Sequence, residues 1–170
     1  LVRFLSNQGL EGVSIAGLRR FTVGFSWITF GFEARWGIAG DEQTRRLVLR
    51  LGPPNGIFAP YKASPEFITL RALQGRAPVP EVYWRSDGDE DFGAPFIIVA
   101  WVAGEAPIPW TADGGPAFDE PTRLRIGEQF LAALAAVHRL DWRAAGLEAI
   151  GGSTDVASAA GDRIDLWEQR

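Results

Sequence analysis

Residues 28–36 alternate without a break. Ile28, Phe30, Phe32, Ala34 and Trp36 fall on one side, and Thr29, Gly31, Glu33 and Arg35 on the other. Successive side chains of a strand point to opposite faces, so this pattern demands a sheet with one buried face. Its aromatic and β-branched content suits a pleated surface. The neighbouring stretches extend the sheet. Residues 15–23 predict a preceding strand, and Gly24-Phe25-Ser26-Trp27 a turn in which glycine frees the backbone and serine offers a local hydrogen bond. Residues 38–42 predict a second turn, and 45–50 a third strand. Short turns between three strands imply an antiparallel meander. In that third strand Leu47 and Leu49 share one face, and Val48 and Arg50 the other. Arg50 thus ends the strand beside a core valine, either as a solvated strand end or as a cation held within a site.

A helix is predicted over residues 64–74, with Ser64 as its N-cap, Pro65 at its first position and Gly75 as its stop. Glu66, Leu70 and Leu73 stand at i, i+4 and i+7 and share a face. A glutamate in the first turn also complements the helix dipole, which leaves Glu66 two readings. Residues 81–85 and 95–102 predict two further strands, the second continuously apolar. The acidic run 87–91 lacks the ligand spacing of a calcium loop and is expected to be a solvated turn. Residues 107–116, rich in proline and glycine, predict a linker. Asp119 and Pro121 open a long helix reaching about residue 140, striped by Ile126, Phe130, Leu134 and Val137. A tail helix is expected near Asp162. Residues 1–10 are helical or irregular.

Composition narrows the chemistry. The chain has 170 residues, enough for one core, or for two lobes if the second is incomplete. A net charge of −4 argues against a nucleic-acid surface. No cysteine is present, which excludes disulfides, thiolate catalysis and cysteine-ligated zinc, and a single His138 argues against a histidine-rich metal site. No apolar run has transmembrane length and no secretory leader is visible, so no membrane contact and a cytoplasmic setting are expected. A chain without methionine is expected to be part of a longer protein, or a processed one.

Four stretches and one helix carry a family resemblance. They are Gly24-Phe25-Ser26-Trp27-Ile28-Thr29-Phe30; Leu47-Val48-Leu49-Arg50-Leu51 with Pro53-Pro54; Glu66-Phe67-Ile68-Thr69-Leu70-Arg71-Ala72-Leu73 with Val79-Pro80; Pro95-Phe96-Ile97-Ile98-Val99-Ala100-Trp101-Val102-Ala103-Gly104; and the long helix ending Leu134-Ala135-Ala136-Val137-His138-Arg139-Leu140-Asp141. In this order they resemble the aminoglycoside phosphotransferase and choline kinase-like family, over residues 18–147. The turn departs from the family by having Trp27 where asparagine is usual.

The resemblance implies an α+β, protein-kinase-like small lobe: an antiparallel sheet of about five strands with one helix, followed by the start of a helical lobe. The expected boundaries are 1–102 for the nucleotide-binding lobe and 103–170 for hinge, linker and first helices of the second. It implies an ATP- or GTP-dependent phosphotransferase acting on a small-molecule hydroxyl group. Gly24 and Ser26 are then expected to bring backbone N–H groups to the phosphates. Arg50, held by Glu66, is expected on the α- and β-phosphates, where a guanidinium binds oxyanions through parallel bonds. The backbone at Ala100 and Val102 is expected to meet the adenine edge, with Val48 and Val99 as pocket walls.

The family's catalytic aspartate, its following asparagine and the second metal-binding aspartate have no match here. His138-Arg139-Leu140-Asp141 has the wrong spacing for a catalytic loop, and the only asparagines are Asn7 and Asn55. The Mg2+ ligands are therefore expected beyond Arg170, and this portion is expected to be inactive alone. Two alternatives stay open: a non-catalytic, kinase-like nucleotide-binding or regulatory module, and an unrelated α+β domain. The acceptor is not legible. Trp84, Trp101 and Trp110 are candidates to stack on a ligand, with core packing expected for Trp101.

Overall fold

The computed structural model of the chain describes residues 1–22, 26–38, 40–56, 60–104, 110, 111, 113–151 and 158–168. Five strands form one antiparallel sheet: β1 (Ser14–Phe21), β2 (Ile28–Trp36), β3 (Gln43–Leu51), β4 (Val82–Ser86) and β5 (Phe96–Ala100). Their spatial order is β1-β2-β3-β5-β4. The first three make the expected meander, and β5 then inserts between β3 and β4. Helix α1 (Val2–Asn7) precedes the sheet, α2 (Ser64–Leu73) joins β3 to β4, and α3 (Glu120–His138), a 3-10 turn (Leu147–Ile150) and α4 (Ala159–Glu168) follow it. The fold is a protein-kinase-like small lobe followed by helices.

The alternation of β2 and β3 sorts the sheet into two faces. On the first, Phe32, Ala34, Leu47, Leu49, Phe96 and Ile98 pack against Phe4 and Leu5 of α1. Phe96 meets Phe4 and Phe92 edge-on, with ring centroids 5.1 and 4.7 Å apart. Each such buried side chain contributes about 1.5–3 kcal/mol over its exposed state. Residues 1–10, which carry no clear pattern of their own, thus supply the lid of the main core. On the second face Ile97 and Val99 pack with Ala63, Val48, Phe67 and Leu70, which seats α2 on the sheet.

β1 runs along one edge. A register shift between Ala16 and Arg19 bulges it, and Gly17 takes the required positive φ of 61°. The strand predicted over 15–23 ends at Phe21, and the one predicted over 95–102 ends at Ala100. Val102 therefore lies outside the sheet, 68% exposed. Helix α3 has its N-cap at Asp119, whose Oδ1 accepts from the Thr122 N–H at 3.0 Å. Its predicted stripe of Ile126, Phe130, Leu134 and Val137 is exposed rather than packed, at 39–64%.

Candidate functional site

Arg50 and Glu66 reach each other from different elements. Arg50 leaves β3 on the second face, as its alternation with Leu49 requires. Glu66 lies in the first turn of α2, which that same face holds in place through Phe67 and Leu70. Arg50 Nη1 donates to Glu66 Oε1, and the two side chains are 28% and 25% exposed. Such half-buried pairs fix orientation, because neither charge is fully hydrated. Glu66 is thus an ion-pair partner as well as a first-turn carboxylate. Arg50 is held, not a free strand end, and the guanidinium keeps further donors for an oxyanion.

Aromatic rings close over this pair. The Trp27 ring centre lies 5.4 Å from Arg50 Cζ. Tyr61 meets Trp27 edge-on, centroids 5.2 Å apart at 74°. The Tyr61 hydroxyl is buried and makes no hydrogen bond with the described residues. Tyr61 packs where Gly52 and Gly56 have no side chain, since a Cβ on Gly52 would come within 2.7 Å of the Tyr61 Cβ and one on Gly56 within 2.7 Å of its ring. Sequence reasoning noted Trp27 only as a departure from the family turn and missed Tyr61, because contacts over such separations leave no local pattern.

The start of α2 differs from expectation. The N-cap position is Ala63, not Ser64. Ser64 already lies within the helix, and the cap comes from Asp87, which follows β4. Asp87 Oδ1 accepts from the N–H groups of Ala63 and Ser64 at 2.6 and 2.9 Å, and its Oδ2 accepts from the Ser64 hydroxyl. Arg85 Nη1 donates to Ser64 Oγ at 2.5 Å and stands 3.7 Å from Asp87 Oδ2. Partial burial pushes the Asp87 carboxyl up, but the Ser64 and Ala63 hydrogen bonds and the Arg85 charge together hold it below the usual carboxylate value. The first residue of the supposed solvated turn therefore anchors the helix that carries Glu66.

The remaining predicted residues are placed as follows. Ser26 is half-buried in the bend before β2, while Gly24 lies outside the described residues. Val48 is half-buried opposite Gly31, and Val99 is 5% exposed, enclosed by the second cluster. The Ala100 N–H donates to Glu81 O at 2.8 Å, and the Trp101 N–H to Arg46 O at 3.0 Å. His138 closes α3, and Asp141 Oδ1 accepts from the Ala144 N–H at 3.0 Å, capping the next turn. Among the described residues no three of His, Asp and Glu gather as a metal site.

The model of the phosphotransferase enzyme family matches residues 28–167, which include β2, β3, α2, β4, β5 and α3. The chain belongs to the phosphotransferase enzyme family. A candidate aminoglycoside phosphotransferase from Ralstonia eutropha JMP134 superposes with a TM-score of 0.56 at 23% identity, over 84% of this chain and 38% of its own. The chain thus spans under two-fifths of that protein's length. A candidate fructosamine-3-kinase from Thermobifida fusca YX-ER1 is matched over 62% of this chain and 32% of its own, at 18% identity and a TM-score of 0.38. No curated protein matches the chain. No helix among the described residues is long and apolar enough to cross a membrane.

Proposed function

We propose that this chain is the nucleotide-holding part of an ATP- or GTP-dependent phosphotransferase whose acceptor is a small-molecule hydroxyl group. The observation that carries it is the Arg50–Glu66 pair, a guanidinium fixed on a sheet face by a helix carboxylate with donors to spare. Phosphoryl transfer asks protein groups mainly to hold phosphates in line and offset their charge. Arg50 takes the α- and β-phosphates, and Glu66 keeps it from swinging away. Ser26 and Gly24 offer backbone donors to the phosphates. The Ala100 N–H is already used by Glu81, so any contact from Ala100 to an adenine edge falls to its carbonyl, with the Val102 N–H beside it. Val48 gives a wall. Val99, enclosed by α2, acts only from behind.

Residues 1–102 form the nucleotide lobe in this reading, and 103–170 begin the helical one, in a cytoplasmic protein. Magnesium would travel with the nucleotide, and no residue described here is assigned to it. No residue of this chain is assigned as catalytic base. Trp27 favours a second reading, a regulatory module that keeps the lobe without chemistry, because its ring covers Arg50 where a phosphate approaches.

The test is displacement of a fluorescent ATP analogue by Mg-ATP and Mg-GTP from the wild type and Arg50→Ala. Saturable binding lost in the variant supports the proposal. Binding absent from the wild type, or unchanged in the variant, refutes it. Tighter binding by Trp27→Ala would favour the regulatory reading.

A further inference from the structure

The sheet face that carries Arg50 has two halves. The inner half is covered by α2. The outer half is open, and Trp101 lies across it. A Cβ on Gly31 would come within 2.5 Å of Trp101 Cζ3 and 2.9 Å of the Phe21 ring, so only glycine lets these rings lie on the strand. Trp101 meets Phe21 with centroids 5.4 Å apart. The guanidinium carbons of Arg46 and Arg19 stand 4.4 and 5.2 Å from its ring centre. A cavity of about 320 Å³ opens here, lined by Gly17, Arg19, Gly31, Glu33, Arg46 and Trp101 among others.

Two features of this cavity point to a ligand. Glu33 is the register partner of Arg46 across β2 and β3, yet its carboxylate forms no ion pair or hydrogen bond with the described residues. The cavity also lies at a fitting remove from Arg50. Arg50 lies four steps along the strand from Arg46, a span of about 13 Å. That separation places an aromatic surface a nucleoside's length from the phosphate-facing cation.

We propose that this cavity seats the nucleotide base on Trp101, and that Glu33 and Arg46 select guanine over adenine. The inference rests on the nucleotide-binding reading above for the phosphates, and it assigns the base edge to Glu33 and Arg46 in place of the Ala100 and Val102 backbone. Guanine presents N1–H and N2–H side by side, two donors that match the two oxygens of a carboxylate. Its O6 and N7 accept, and a guanidinium donates to both. Adenine offers a donor at N6 but a lone pair at N1, which faces a carboxylate oxygen unfavourably. Arg19 and Arg46 are exposed, so their guanidinium groups can leave the ring face to a base and turn to its edge.

Calorimetric titration with Mg-GTP, Mg-ATP and tripolyphosphate tests this on the wild type, Glu33→Gln, Trp101→Phe and Trp101→Ala. The wild type is expected to bind GTP about tenfold more tightly than ATP, and Glu33→Gln to abolish that margin by weakening GTP alone. Trp101→Ala is expected to weaken both nucleotides about tenfold, and Trp101→Phe much less. Tripolyphosphate affinity should be the same in all four. Equal affinity for ATP and GTP in the wild type, or equal effects of Glu33→Gln on both, overturns the selection of guanine. An unchanged GTP affinity in Trp101→Ala overturns the stacking. Glu33→Gln is isosteric at a half-buried position, so it gives a result even if Trp101→Ala unfolds. A wild type that binds tripolyphosphate but shows no base preference overturns this inference and leaves the phosphate site standing. One that binds neither overturns both.

Discussion

Asp87→Ala removes the carboxylate that caps the first turn of α2. Two backbone N–H groups, at Ala63 and Ser64, lose their partner, and the Ser64 hydroxyl loses a third bond. A lost cap costs about 0.5–2 kcal/mol. Asp87 is 38% exposed, so water recovers part of the loss, and about 1–1.5 kcal/mol is expected. Asp87→Asn keeps one carbonyl oxygen for both N–H groups and should lose only about 0.5 kcal/mol. For a chain of this length, the alanine variant should melt about 2–6 °C lower. Urea unfolding followed by far-UV circular dichroism measures both variants. The pH dependence has a definite sign. A carboxyl held below its unfolded value adds stability above that value, about 3.9, and loses it as pH falls through the folded value. The gap between wild type and Asp87→Asn should therefore persist at pH 7 and close only as pH falls below the ordinary carboxylate range. An alanine variant within about 0.3 kcal/mol of wild type at pH 7 would refute the non-local cap. So would a gap that does not change with pH.

Leu47 is fully buried at the centre of the sheet, so Leu47→Ala should cost about 2–5 kcal/mol in the same assay. A double-mutant cycle of Arg50→Ala and Glu66→Ala should return a coupling of about 1–2 kcal/mol, between the values for exposed and buried pairs. The open face of α3 should bind an apolar-surface dye, and Phe130→Glu should reduce the dye signal without lowering the melting temperature, since Phe130 is 64% exposed.

Periodicity made the sheet legible. The alternation through 28–36 marks β2 to the residue, and the pairing of Val48 with Arg50 on one face is what carries Arg50 toward α2. Glu66 was legible because helix spacing set it beside Leu70, whose face must meet the sheet. Strand ends were less so: Trp101 and Val102 continue an apolar run but leave β5 after Ala100, where Trp101 turns onto Gly31 instead. The insertion of β5 between β3 and β4 is a long-range pairing with no local signature. The same holds for Asp87, whose capping partners lie 23 and 24 residues earlier in the chain. Ser64 looked like the N-cap because capping patterns are read locally, and a carboxylate from a distant turn took that role. Trp27 was visible as a family departure, but its place over Arg50 comes from the fold alone.

Calorimetric titration of Mg-ATP into the wild type, Arg50→Lys and Arg50→Ala is the most direct test of a phosphate-holding Arg50. The wild type should bind saturably. Arg50→Ala should lose about 1.5–3 kcal/mol of binding free energy, roughly a 10- to 150-fold weaker Kd, because a charged hydrogen-bond donor to phosphate is gone. Arg50→Lys should fall between them, keeping the charge without the forked geometry. Equal affinity in all three, with each variant folded, would contradict the account.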